Sequence, residues 1–236
     1  MHDWTATWRD LENPPALALL PLGSIEQHGP SLPIGADWYM ADHIARMIAG
    51  KLEAWVLPAQ PYACAQEHQD FPGTVTLHPA TLAVLLADIA ESVARTRVPY
   101  LAIINFHGGN WALKSIVRDL NRRQREIVLF TFNPYDGVPG LALHEDLHSG
   151  DFETSLWLHV RPDLVRLPLQ DCVPEISPAL LDQVGVRAVS PHGQWGRASQ
   201  ATTERGERDI EWMVDDTVRR VREAIAQVED LRVTES

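Results

Sequence analysis

The chain has 236 residues, 45% of them hydrophobic, enough to bury a substantial core within a single domain spanning residues 1–236. Its 32 acidic and 20 basic residues leave a net charge of -12 with no Lys/Arg block to follow a phosphate backbone, which argues against nucleic acid as a partner. Two cysteines, Cys64 and Cys172, exclude a disulfide framework, and neither a membrane-length apolar stretch nor a signal core in "MHDWTATWRD" is present, so a cytoplasmic protein is expected.

Apolar runs alternate with segments of helical period. The first run, near 16–22, predicts a strand. It empties into "PLGSIEQHGPSLPIGADW", residues 21–38, where Glu26, His28 and Asp37 stand among three glycines and three prolines. Such a segment is neither helix nor strand, and loops held by a rigid scaffold are where chemistry tends to sit. Ser24 reads as a turn residue, and a helix follows with Met40, His43 and Met47. A second strand is expected near 54–58, then a long loop over 60–79 that carries Glu67 and His68; loops of that length in a compact domain usually have a function.

Leu82, Leu85, Leu86, Ile89 and Val93 recur at three- and four-residue spacing and predict a helix over 80–95. The third strand, 99–105, leads to His107, a tight turn at Gly108 and Gly109, and Asn110 as N-cap of a helix from 111 bearing Leu113, Ile116, Val117 and Leu120. A fourth strand falls near 127–132, and 134–150 is irregular. In "HSGDFETSLWLHV" Glu153 lies in the first turn of a helix, with Asp151 or Thr154 placed to satisfy free amides. The stretch 168–206 is ambiguous, with one short strand at 186–189, and a last amphipathic helix covers 207–228. Strands alternating with helices imply a mostly parallel sheet covered on both sides.

In open parallel sheets, sites form beyond the carboxyl ends of the strands. Strands one and three then deliver Glu26, His28 and His107 to one rim. Glu26 and His28, two apart, face the same way in extended backbone, and Asp37 returns from the far end of the loop. Carboxylates and imidazoles of this kind suit zinc, manganese or iron alike. Glu153, which alone would be an ordinary helix-dipole carboxylate, is the fifth candidate because of this company.

The segments "LPLGSIEQHGPSLPIGAD", "QEHQDFPGTVTL", "NFHGGN", "HSGDFETS" and "GQWGRASQATTERG" together resemble the creatininase (creatinine amidohydrolase) family of metal-dependent hydrolases, in that family's order. The resemblance implies a three-layer α/β/α sandwich, assembled as a homo-oligomer, often a hexamer, with two divalent ions per chain, zinc foremost. By matching position Asp37 would bridge the ions, Glu26 and His107 would hold one, and His28 the other. Creatinine-specific members carry a glutamate where this chain has Gly109, so the second-site carboxylate passes to Glu153 and creatinine itself becomes doubtful as substrate. Phe106, Ser31, Ser149 and Asp151 also depart from the family pattern.

Two cations a few ångströms apart lower the pKa of a shared water and stabilise the oxyanion formed at an attacked carbonyl. His148, beside Glu153, is the candidate proton carrier for the leaving nitrogen, its alternative being to orient a ligand. Glu67, His68 and Trp195 are candidates for the substrate wall, with His192 near them. The pentad "HEDLH", 144–148, matches a zinc-protease motif but lacks room for the helix it requires. No G-x-S-x-G elbow, P-loop or dinucleotide motif is present. His43 reads as structural, His78 stands at a helix entrance before Pro79, His2 and His159 have no polar cluster around them, and Trp111 and Trp157 read as core or interface residues. The function expected is hydrolysis of a non-peptide C–N bond, an amide or cyclic amide, in a small polar molecule; the alternatives are a cyclic polyol ketone, a short peptide, or a non-catalytic metal-binding relative.

Overall fold

The structure is a computed structural model that describes residues 1–124, 126–142 and 144–234. Four strands, β1 (Leu17–Leu22), β2 (Trp55–Val56), β3 (Tyr100–Asn105) and β4 (Val128–Phe132), form a parallel sheet in the order β2-β1-β3-β4. The linking helices are α1 (Ala36–Leu52), α2 (Pro79–Arg95) and α3 (Leu113–Arg123). Beyond the sheet come α4 (Asp151–Val160) and the long C-terminal α7 (Thr203–Thr234). All six residues of β1 and of β3 are buried, as expected of strands covered on both faces.

The two-residue alternation of a strand divides the core. Leu17, Leu19, Tyr100, Ala102 and Ile104 face α1, α4 and α7, whereas Ala18, Leu20, Leu22, Leu101 and Ile103 face α2 and α3. The result is a three-layer α/β/α sandwich. Each fully buried Leu or Ile in it contributes about 1.5–3 kcal/mol. No helix among the described residues is long and apolar enough to cross a membrane.

Between 161 and 202 the chain leaves this pattern. A two-stranded antiparallel ribbon, β5 (Asp171–Cys172) with β6 (Gly196–Arg197), flanks two single-turn helices, α5 (Leu181–Val184) and α6 (Val186–Val189). The strand expected at 186–189 is therefore α6: Gly185, at φ +73°, breaks the backbone just before it, and no strand among the described residues pairs with this segment. The second strand is shorter than the expected 54–58. Asn110 does not cap α3, which starts two residues later than expected. Its side chain instead accepts from Cys64 N at 3.0 Å and donates to Asn105 Oδ1 at 2.8 Å, tying the 60–79 loop to the end of β3.

The helix at Glu153 forms as expected, but neither Asp151 nor Thr154 caps it. Asp146 Oδ2 accepts from Phe152 N at 2.8 Å, while Asp151 pairs with Arg205 and accepts from Ser155 Oγ at 3.2 Å. Residues 144–147 form a turn, not a helix; His144 is 74% exposed while His148 is buried, so "HEDLH" builds no zinc-protease site.

Candidate metal centre

β1 and β3 pair in register to their ends, with Leu22 opposite Asn105, so the two chains leave the sheet side by side. α1 runs from β1 to β2 on one side and α3 from β3 to β4 on the other, making the β1/β3 boundary a topological switch point, where parallel sheets open a crevice. Gly23 lets α1 start against this rim: a Cβ there would lie 2.5 Å from the Trp38 backbone. That close approach brings Asp37, in the first turn of α1, back to the loop from which Glu26 and His28 project.

Asp37 Oδ1 lies 3.0 Å from His28 Nε2, and Asp37 Oδ2 lies 3.0 Å from His107 Nδ1. Ser24, read from the sequence as a turn residue, donates its hydroxyl to Oδ2 at 2.9 Å. Glu26 Oε2 is 3.2 Å from His107 Nδ1, and Glu153 Oε2 is 3.9 Å from His28 Nε2. The five side chains thus come together as two triplets, Glu26/Asp37/His107 and His28/Asp37/Glu153, each with ligand atoms within 4.8 Å of one another and Asp37 common to both. A third triplet, Glu26/His28/His148, overlaps them.

Tautomers follow from the far side of each ring, because a carbonyl can only accept. His107 Nε2–H donates to Cys64 O at 2.6 Å and His28 Nδ1–H to Glu26 O at 3.2 Å, so in the neutral form of each ring the lone pair falls on the nitrogen that faces Asp37. Both oxygens of Glu26 are buried, and no hydrogen bond from a described residue reaches them. Orphaned buried carboxylate oxygens beside two imidazole lone pairs fit divalent cations, which would supply the missing partners.

Electrostatics describe the same strain. Burial pushes Glu26 up to about 8 and Glu153 up to about 7. Burial would lower His28 and His107, but Asp37 beside the first and Glu26 and Asp37 beside the second push each up to about 10. Burial would raise Asp37, yet the two imidazoles hold it well below the usual carboxylate range. His148 is forced down to about 3 by burial and by His28, its ring 4.3 Å away, and His68 is also lowered well below its ordinary value by burial and by His148.

Of the other expected residues, His148 Nε2–H donates to Gln27 O at 2.7 Å and its Nδ1 stands 3.7 Å from Glu26 Oε1. His68 is buried behind Glu26, 3.4 Å away, and takes a hydrogen bond from Gln27 Nε2 at 2.7 Å. Glu67 and Trp195 line the cavity, and Trp195 exchanges backbone hydrogen bonds with His148. His192 is exposed and outside the cavity lining. The sequence reading missed Gln27. Its amide also donates to Gly193 O at 2.8 Å and accepts from Gly29 N at 2.9 Å, linking the first loop to the glycine-rich 193–196 segment. Its place between Glu26 and His28 was the available signal. The cavity over the cluster measures about 1110 Å³ and is walled by the 66–70 turn, Phe106, Trp111, Tyr135 and the segment 178–186.

Fold and cluster define a class: three-layer α/β/α proteins with carboxylate–imidazole triplets at the sheet's switch point. The family model for creatininase, described as creatinine amidohydrolase, matches residues 4–221. The mycofactocin precursor peptide peptidase of Mycobacterium ulcerans is 36% identical, the match covering 86% of this chain and 83% of that one. The creatinine amidohydrolase of Pseudomonas putida is 28% identical over 92% of this chain and 94% of its own. A solved structure of a mutant creatininase, Zn-Zn type, superposes with a TM-score of 0.80 at 25% identity, covering 93% of this chain and 96% of that one. The chain belongs to the creatininase family, and it is a hydrolase.

Proposed function

We propose that the protein is a metal-dependent amidohydrolase in which Glu26, Asp37 and His107 hold one divalent cation and His28, Asp37 and Glu153 hold a second, with zinc foremost and manganese or iron as alternatives. The observation that carries this reading is the division of Asp37, one oxygen toward each imidazole, beside a buried Glu26 that no described donor satisfies. When bound, such a pair of cations makes hydroxide available near neutral pH and stabilises negative charge at an attacked carbonyl.

The chain's own residues do the rest. Ser24 fixes the orientation of Asp37, and the Cys64 and Glu26 carbonyls hold the two imidazoles in the tautomer that ligation needs. His148 has Nδ1 free of the Gln27 carbonyl and on the Glu26 side, where it would take a proton from the attacking water and pass it to the leaving nitrogen. Glu67, His68 and Trp195 shape the wall. In this reading the whole chain is one hydrolase domain of a cytoplasmic homo-oligomer.

The bond cleaved is an amide C–N bond. The reading developed from the sequence is a non-peptide amide or cyclic amide in a small polar molecule. A second reading, the amide of a short peptide, is favoured by a chamber slightly larger than the usual range for small-molecule sites and by the 36% identity to a peptide peptidase. Protein purified without chelator and assayed against creatinine, formamides, cyclic imides, an inosose derivative and short peptides tests both. Two equivalents of metal and turnover of one amide class are expected; a folded, metal-free protein inert to all of them overturns the proposal.

A further inference from the structure

We propose that Glu67 is a specificity-determining residue of this chamber: its carboxylate receives a protonated amine, or a comparable N–H-rich cation, carried by the substrate beside the bond that is cleaved. The inference rests on reading the cavity as an amidohydrolase's substrate chamber.

Glu67 belongs to the single turn Gln66–His68, and its carboxylate reaches across to the backbone of Gly109. A Cβ built on Gly109 would overlap Glu67 Oε1 and His107 Nε2 and come within 2.9 Å of the Cys64 carbonyl oxygen. Gly109 and the Glu67 carboxylate therefore share one volume: the backbone is bare at 109 where the acid lies. The acid is also outside all three triplets of candidate metal ligands.

No donor among the described residues reaches the Glu67 carboxylate. Its Oε1 is 3.8 Å from His107 Nε2 and 3.9 Å from His68 Nε2, both beyond hydrogen-bond distance, and the His107 nitrogen is already committed to Cys64 O at 2.6 Å. The side chain is 18% exposed and lines the chamber. A carboxylate that faces a confined chamber without a protein donor is open to a ligand that brings both a donor and a positive charge. The surroundings agree in sign. Asp70, Asp136 and Asp182 line the same chamber, and no Lys or Arg does so among the described residues. The rings of Phe106, Trp111 and Tyr135 give it aromatic faces of the kind that attract organic cations.

The test compares metal-loaded wild type, Glu67→Gln and Glu67→Asp for binding of benzylammonium and its neutral isostere benzyl alcohol, followed by ligand-observed NMR, with metal content measured in parallel. Wild type is expected to prefer the ammonium by about 10-fold or more, as for hydrogen bonds to charged groups. Glu67→Gln should lose that preference with its metal unchanged, and Glu67→Asp should retain part of it. Equal binding of both probes by wild type, a preference that survives in Glu67→Gln, or metal lost from Glu67→Gln overturns the proposal. An ammonium preference in a protein that hydrolyses no amide would sink the proposed function and leave Glu67 as a cation subsite without a scissile bond beside it.

Discussion

Asp37 concentrates the site in one side chain, since each of its oxygens faces a different imidazole and Ser24 holds the carboxylate between them. Replacing Asp37 by Ala should therefore empty both metal positions at once and lower turnover by about 10²-fold or more, because the cations supply several kcal/mol of transition-state stabilisation. Metal analysis of the purified variant beside its amidase rate checks this, and retention of one full equivalent would contradict a bridging role. Ser24→Ala removes only the hydroxyl that orients the bridge. A loss of about 10-fold in metal affinity is expected, read by competition with a chromogenic chelator. The sequence made the ligand types visible, since Glu26, His28, Asp37 and His107 are acids and imidazoles in loops after strands. It did not reveal Ser24 or Gln27 as supports, because a hydroxyl in a glycine-rich turn and an amide between two ligands have many uses that only distances separate.

At the scale of elements, Glu153 reaches the cluster because α4 packs closely on α7. Gly206 permits this: a Cβ there would overlap the Ser155 carbonyl oxygen and lie 3.0 Å from His159 Cβ. Gly206→Ala should force the two helices apart, destabilising the fold by about 1–3 kcal/mol as overpacking does, and should weaken metal binding on the Glu153 side more than on the Glu26 side. Gly50, inside α1 with nothing within 4 Å of its added Cβ, is the control. There Ala should be neutral or stabilise by about 0.5–1 kcal/mol through helix propensity, and denaturant midpoints of the two variants give the comparison. Elements with long periodic patterns, such as β1, β3 and the helices over 80–95 and 207–228, were legible for that reason. The ribbon of β5 and β6 was not, because strands of two residues leave no alternation to read, and "VRAV" at 186–189 carries too few residues to separate a strand from one helical turn. The cap of α4 was hidden differently: Asp146 stands five residues before the helix, reached through a turn that places its Oδ2 on Phe152 N.

At the scale of the whole molecule, the parallel sheet gathers candidate ligands from four segments, the loop after β1, the start of α1, the end of β3 and α4, and buries them, so without cations the site must hold protons in their place. This fixes how stability responds to pH once metal is stripped. Glu26 and Glu153, raised by burial from 4.5 to about 8 and about 7, bind protons in the folded state that the unfolded chain has already released. His28 and His107, raised from 6.5 to about 10 against the effect of burial by Asp37 and Glu26, do the same at higher pH. For all four, the native state holds more protons than the unfolded one between about pH 6.5 and about 7, and for all but Glu153 up to about 8, so stability falls as pH rises through this window. His148, lowered from 6.5 to about 3 by burial and His28, acts below it: the unfolded chain gains the proton first, and its contribution to stability falls as pH drops from about 6.5. Between about pH 4.5 and about 6.5, Glu26 and Glu153 lower stability as pH rises while His148 and His68, both lowered by burial, raise it, so the stripped protein should change little there and weaken as pH rises above about 6.5. Bound cations displace the shared protons and satisfy Glu26, so the metal-loaded protein should lose the alkaline decline and gain about 2.7 kcal/mol at a free metal concentration 100 times the Kd. Denaturant midpoints across this pH range, with and without chelator, measure both effects. A stripped protein whose stability rises from about pH 6.5 to about 8 would mean that the carboxylates and imidazoles do not share protons in the buried cluster.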